Sequence, residues 1–588
     1  MNPSSLSAAQ TPEQVPTISE DYADIIFRYQ IAPESVLEEL ALYHPQLVDS
    51  QYTILHIPLS ENLYTVDQVG YSSVPNLFTF IDTASLESGG ILAAQIQPYL
   101  NLTGKGVLLG FLDSGIDYTH PAFRSADGRT RILRLWDQTD QNGTPPAGIG
   151  YGTEYTQEQI NEALFSGDPF SVVPQYDPYG HGTAVAGIAC GSPDTSAEFI
   201  GAAPDANIVF VRLKEAKQYL RDYFLIPEDA IAYQESDLML GIRYMIDTSR
   251  RLRMPLVICI SLGSNQGGHT GSTPLEDVLS AAQFNTGIYV VTGTGNEAGK
   301  GHHYLGRLPA QNTSDEIELL VDEETDGFTI EFWADAPELY SIGFTSPLGE
   351  TIQPIQPRPN TSREFDFLLE RSRISLTYTV VEMLSGAQLA MMRFINPATG
   401  IWRIRIVNLN YINGVFHLWL PISGLVNPSV RFYSPSLETT LVIPSCAPTV
   451  ITASTYNAYN NSLFINSGRG FTRNGLIKPD FAAPGVSLTA PAVLPRTQTP
   501  GTPAPVQSNP YTTVTGSSAA TALVAGATAQ IIQSGLLRPV NPRYFTVTEI
   551  KNLFLRGTNR SAIYTYPNRE WGYGTMDVYG IFESFLRS

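Results

Sequence analysis

The chain has 588 residues, 43% hydrophobic and 15% charged, which is enough apolar material for a large core and two to four folding units. Asp+Glu number 56 against Lys+Arg 35, a net charge of −21, and such a surface disfavours nucleic acid and anionic lipid as partners. Only three cysteines occur, Cys190, Cys259 and Cys446, each in a small or apolar run, so they read as buried thiols rather than a disulfide framework.

Residues 1–18 are polar and rich in Ser, Pro and Gln, and read as a flexible tail. They carry no basic n-region and no apolar h-region, so no Sec signal is expected, and the expected location is the cytoplasm of the producing cell. A scan for about 18 consecutive apolar residues finds none, so no membrane span is expected. From Asp21 the pattern changes. Residues 23–29 predict a strand, Pro33 to Tyr43 a helix with apolar positions at 36, 37, 40 and 43, and Tyr52 to Leu59 a second strand. Together they predict a small βαβ unit.

Between 105 and 310 the chain alternates apolar strands with helices. The strands begin near Gly106, Ala206, Leu256 and Gly287 and are apolar on both faces. Buried strands alternating with helices predict an α/β fold, a parallel sheet covered on both sides. From 310 to 440 strands follow one another with almost no helix, and their alternation predicts an antiparallel sandwich or jelly roll. The α/β pattern resumes near Pro448, so the β unit reads as an insertion.

Three glycine-flanked segments carry the chemistry, in the order Asp113-Ser-Gly, His181-Gly-Thr and Gly516-Ser-Ser518. Asp113 ends a buried strand, where α/β sheets present their ligand-binding groups. It suits the orientation of a histidine, although Asp at a strand end often serves only as a cap or turn residue. Asp117 competes for that role but lies beyond the glycine. His181 opens a helix of small residues, whose dipole favours a neutral imidazole and hence a general base. Ser518 sits at a helix N-terminus. It could be an N-cap, or a nucleophile whose own N–H serves an oxyanion hole. Ser517 is the alternative nucleophile. Asn296, after two glycines, offers a second oxyanion donor or a plain turn residue. His302 and His303 are adjacent, poor spacing for one metal ion, and no metal or cofactor is expected.

These segments, with Lys478-Pro-Asp-Phe-Ala-Ala-Pro-Gly, resemble the subtilisin-like serine protease (subtilase) family. The resemblance implies a triad of Asp113, His181 and Ser518, an oxyanion hole containing Asn296, and a substrate-binding strand at Ser261, Leu262 and Gly263. It also implies a subtilisin-like doubly wound parallel sheet with a small α+β N-terminal prodomain. The motifs depart from the family pattern at Ser517, Ala519 and Ala522, where Thr, Met and Pro are usual. The stretches following Asp113 and Asp127, the Gly301-His-His pair and Glu570-Trp-Gly-Tyr-Gly resemble the Csp branch of germination proteases of clostridial spores. That likeness implies an inserted jelly-roll domain and limited proteolysis of a cortex-hydrolase precursor in spore germination. It also implies a self-cleaved prodomain that remains as a bound inhibitor, with the protein packaged into the spore. The expected division is tail 1–18, prodomain 19–73, subtilase domain 74–310 and 446–588, and insert 311–445. The expected cut lies near Tyr71–Pro75. A general intracellular subtilase and a pseudoprotease signalling protein are the alternatives.

Overall fold

A computed structural model describes residues 15–30, 33–81, 95, 101–359, 361–494, 510–537 and 543–586. At its centre lies a nine-stranded sheet. Seven of its strands run parallel: Phe481–Pro484 pairs with Ile451–Asn457, followed in order by Ile288–Gly293, Leu256–Ile260, Leu108–Asp113, Asn207–Arg212 and Ile132–Asp137. The chain leaves Leu108–Asp113, adds strands on one side, then crosses to the other. Asp113 therefore ends the strand at which the order reverses, the place where such sheets bind ligands.

Both faces are covered. Helices His181–Cys190, Ser517–Leu536 and Val547–Arg556 pack on one face around Val107, Leu109 and Phe111. Helices Glu235–Leu252 and Pro274–Ala282 cover the other around Leu108, Leu112 and Ile258. Ser517–Leu536 has the length and, at a mean hydropathy of 1.2, the average apolarity of a membrane-crossing helix, although Ser, Thr and Gln interrupt its apolar run. It is 89% buried inside the molecule, so its apolarity serves the core, where small residues let it approach its neighbours. A Cβ at Gly526 would lie 2.4 Å from the Ala202 Cβ. Cys190, Cys259 and Cys446 are all buried and unpaired by disulfide.

The N-terminal unit departs from the predicted βαβ. Tyr22–Arg28 and Tyr52–Pro58 pair antiparallel, and Gln46–Leu47 adds a third strand. The cause is a reversal at Asp49, whose carboxylate accepts the N–H groups of Gln51 and Tyr52 and turns the chain back. The helix runs only from Pro33 to Glu39, with a 3₁₀ turn at Ala41–Tyr43. The 3₁₀ turn ends at His44, which takes the left-handed conformation with φ +47° and donates its N–H to Ala41 O. Asp24 of the first strand is buried against the α/β unit. It accepts hydrogen bonds from Lys217 Nζ at 2.8 Å and Gln234 Nε2 at 2.5 Å, and lies 2.6 Å from His56 Nδ1. Burial alone would raise its pKa; Lys217 and His56 more than offset this and hold the carboxyl well below the usual range.

The β unit is a sandwich of two antiparallel sheets, of six and five strands, over an apolar core. The six-stranded sheet takes in His303–Arg307, ahead of residue 311, because that strand pairs with Val415–Trp419. The sandwich also touches the α/β unit: Trp333, Leu389 and Trp419 share an apolar cluster with Leu77, Ile81 and Val442.

Candidate active site

Asp113 is fully buried and accepts five hydrogen bonds. His181 Nδ1 lies 2.7 and 2.8 Å from its two oxygens, Ser114 supplies its N–H and hydroxyl, and Ser261 donates its hydroxyl at 2.8 Å. Contact with Nδ1 leaves Nε2 to face Ser518 Oγ, 3.0 Å away. The three segments named from sequence therefore meet at hydrogen-bond distances, with the nucleophile–base–orienter geometry that hydroxyl activation needs.

The glycines of these segments have physical reasons. Gly180 has φ +77°, which frees the chain to enter the helix at His181. A Cβ on Gly182 would lie 2.2 Å from Gly115 O and 2.9 Å from the Asp113 Cβ, so only glycine lets the helix reach the strand end.

Two neighbouring carboxylates have other tasks. Asp117 accepts the N–H groups of Thr119 and Leu494. Asp177 was not singled out from sequence. Its carboxylate accepts from Gly180 N, Thr183 N, Thr183 Oγ1 and Ser114 Oγ, capping the helix that carries His181. Burial raises its pKa. The only sequence signal was an Asp two residues before the Tyr179-Gly180 turn.

Ser517 and Ser518 point in different directions. Ser517 Oγ accepts the Gly295 N–H at 3.0 Å, and its own N–H donates to Asn296 Oδ1 at 3.2 Å. Ser517 thus braces the Gly293–Asn296 turn, and the amide oxygen it engages leaves the NH₂ group as the donor end of Asn296. His302 and His303 also diverge. His302 Nδ1 lies 2.6 Å from Glu297, while His303 bonds His417 and stacks on Trp419. Burial alone would raise the Glu297 carboxyl; His302 beside it holds it below its ordinary value. Among the described residues no group of three or more His, Cys, Asp or Glu is arranged to hold a metal ion.

A segment of the chain itself occupies the cleft. Leu77–Phe80 pairs antiparallel with Leu262–Gly263 on one side and Tyr233–Gln234 on the other. Gly263 faces Thr79 and Leu262 faces Phe80, while Ser261 O accepts the Ile81 N–H at 3.4 Å. Ser261, Leu262 and Gly263 thus form a strand edge to which residues 79–81 of the chain add. The opposite rim, Tyr233–Gln234, is two residues long and gave no sequence signal. The Phe80 ring stacks on His181 with centroids 4.2 Å apart. The Ile81 carbonyl accepts the Ser518 N–H at 2.8 Å and lies 2.9 Å from Ser518 Oγ. Tyr71–Pro75, where the cut was expected, lies elsewhere. Tyr71 is buried and donates to Glu331 of the β sandwich at 2.8 Å.

Comparison with known proteins agrees with this geometry. The subtilase family model, peptidase S8, matches residues 104–319 and 426–574, on either side of most of the β sandwich. The solved CspB protease of Clostridium perfringens is 31% identical, with a TM-score of 0.73, over 85% of this chain and 98% of that one. A subtilisin from Bacillus sp. strain TA39 is 26% identical over 193 residues, 33% of this chain. Subtilisin-like protease SBT2.2 of Arabidopsis thaliana is 32% identical over 108 residues, 17% of this chain. The matches span only 34% and 12% of those two curated relatives. The chain belongs to the subtilase family of serine endopeptidases.

Proposed function

We propose that this chain hydrolyses peptide bonds with Ser518 as nucleophile, His181 as general base and Asp113 as the group that orients it. We further propose that its first substrate is its own bond between Ile81 and Asp82. The observation that carries this reading is the Ile81 carbonyl, which accepts the Ser518 N–H at 2.8 Å beside Ser518 Oγ.

In this mechanism Oγ attacks the Ile81 carbonyl carbon while His181 Nε2 takes its proton. Asp113 holds Nδ1–H and stabilises the imidazolium. The Ser518 N–H and the Asn296 NH₂ receive the developing oxyanion; a preorganised donor of this kind contributes about 2.7–4 kcal/mol of transition-state stabilisation. His181 then protonates the leaving amine of Asp82, and water hydrolyses the acyl-enzyme. After the cut, residues 77–81 keep their strand pairing, so the N-terminal unit remains as a bound inhibitor. The biological reading follows the likeness to CspB: limited proteolysis of a cortex-hydrolase precursor in spore germination, in a protein made in the cytoplasm and packaged into the spore. An occupied cleft supports regulated cutting over bulk digestion.

A fluorophosphonate probe tests the nucleophile once residues 1–81 have been removed. Wild type and Ser517→Ala are expected to label at Ser518, and Ser518→Ala is expected not to label. Labelling that persists in Ser518→Ala, or wild type that never labels, overturns the assignment.

A further inference from the structure

Behind the triad lies a second buried carboxylate. Asp177 is 2% exposed and stands four residues ahead of His181, on the turn that leads into its helix. Five donors converge on it. They are the N–H groups of Tyr179, Gly180 and Thr183 at 3.2, 2.9 and 2.9 Å, and the hydroxyls of Thr183 and Ser114, each at 2.7 Å. A helix cap needs only one or two of these.

The direction of the two hydroxyls is set by backbone. Thr183 Oγ1 accepts the Asp117 N–H at 2.9 Å and Ser114 Oγ accepts the Gly182 N–H at 3.4 Å, so both turn their protons away from those groups and toward carboxylate. A site made of donors suits the anion, because a protonated carboxyl would point its own O–H at one of them. Burial pushes the Asp177 pKa up, the Ser114 and Thr183 bonds pull it back, and the donors favour the ionised form at neutral pH.

Ser114 also joins this carboxylate to the triad. Its Oγ lies 2.7 Å from Asp177 and 3.1 Å from Asp113 Oδ1, so one hydroxyl proton is shared between the two. The glycine of Asp113-Ser-Gly is what admits the neighbour: a Cβ on Gly115 would lie 2.3 Å from Tyr176 O and 2.8 Å from the Asp177 Cα. The other charges nearby are engaged elsewhere. Arg212 pairs with Asp137 at 3.1 Å and lies over the Tyr176 ring. Glu215 accepts the Tyr179 hydroxyl at 2.9 Å, and Asp117 accepts from Thr119 and Leu494. Burial pushes the Tyr233 hydroxyl well up, so it stays neutral.

We propose that Asp177 is a positioning residue for this reaction through its charge as well as its cap: a second anion, behind Asp113, that favours the imidazolium His181 becomes when it takes the Ser518 proton. This inference rests on the proposed function.

The test uses the processed protein with the Leu-Phe-Thr-Phe-Ile-Asp peptide at saturation, so that competition from the bound N-terminal segment falls in KM. Fluorophosphonate titration of an aliquot freed of residues 1–81 counts competent Ser518. The acid limb of kcat against pH reports the general base in the enzyme–substrate complex. Asp177→Asn and Asp177→Ser each keep a cap oxygen and remove the charge. Both are expected to move the acid limb about one pH unit lower and to lower the kcat plateau about tenfold, two readings of one lost charge, with KM little changed. Thr183→Val removes a cap donor and keeps the charge, and is expected to lower kcat with the limb in place. A limb that stays put in the uncharged variants, or moves as far in Thr183→Val, overturns the role of the charge. Loss of competent sites in both uncharged variants while wild type titrates also overturns it, assigning Asp177 to folding; in each case the proposed function stands. If wild type does not titrate, the proposed function itself fails.

Discussion

Ser518→Ala lowers hydrolysis of a Leu-Phe-Thr-Phe-Ile-Asp peptide by about 10⁴–10⁶-fold, with little change in folding. The loss is large because alanine removes the attacking oxygen itself. Ser518 Oγ faces His181 Nε2 at 3.0 Å, and the Ser518 N–H donates to the Ile81 carbonyl at 2.8 Å. Alanine keeps the N–H and removes the nucleophile, so residual activity reports the oxyanion site and binding alone. Steady-state kinetics on active-site-matched enzyme check this. A variant retaining more than about a tenth of wild-type kcat would place the nucleophile elsewhere.

Asp24→Asn weakens docking of the cleaved N-terminal unit by about 10²–10³-fold or more. The substitution leaves the Lys217 ammonium buried beside the carbonyls of Pro16 and Tyr22 without its counter-charge. Breaking a buried pair from one side costs about 3–5 kcal/mol. Acid is expected to act on the same contact. The free Asp carboxyl has its ordinary value of 3.8, and docking lowers it. Docking is therefore at full strength above that value and weakens as pH falls through and below it. Size-exclusion chromatography of processed protein checks both effects. Wild type should carry fragment 1–81 through the column at pH 7, and Asp24→Asn should lose it. Equal retention by the two proteins would mean that the contact contributes nothing to docking.

Asp113, His181 and Ser518 were legible because the chemistry forces unusual neighbours on each. Gly182 must be glycine to let the helix meet Asp113, and Gly180 needs a left-handed backbone, so the motif is visible before any fold is known. The parallel strands were legible for another reason: burial on both faces leaves them uniformly apolar. The occupant of the cleft was not. Leu77–Ile81 reads as any short apolar strand, and its partners Leu262–Gly263 and Tyr233–Gln234 are two residues each. Only three-dimensional pairing distinguishes them. The antiparallel pairing of the N-terminal unit was hidden likewise, since one Asp49 turn decides the direction of the following strand.

In the proposed function the chain acts first on the segment seated in its own cleft. Intact-mass analysis of purified wild type and Ser518→Ala tests it most directly. Wild type should yield two species, residues 1–81 and 82–588, and Ser518→Ala one species of full length. A single full-length mass in both, or a wild-type cut at Tyr71–Pro75 instead of after Ile81, would contradict it.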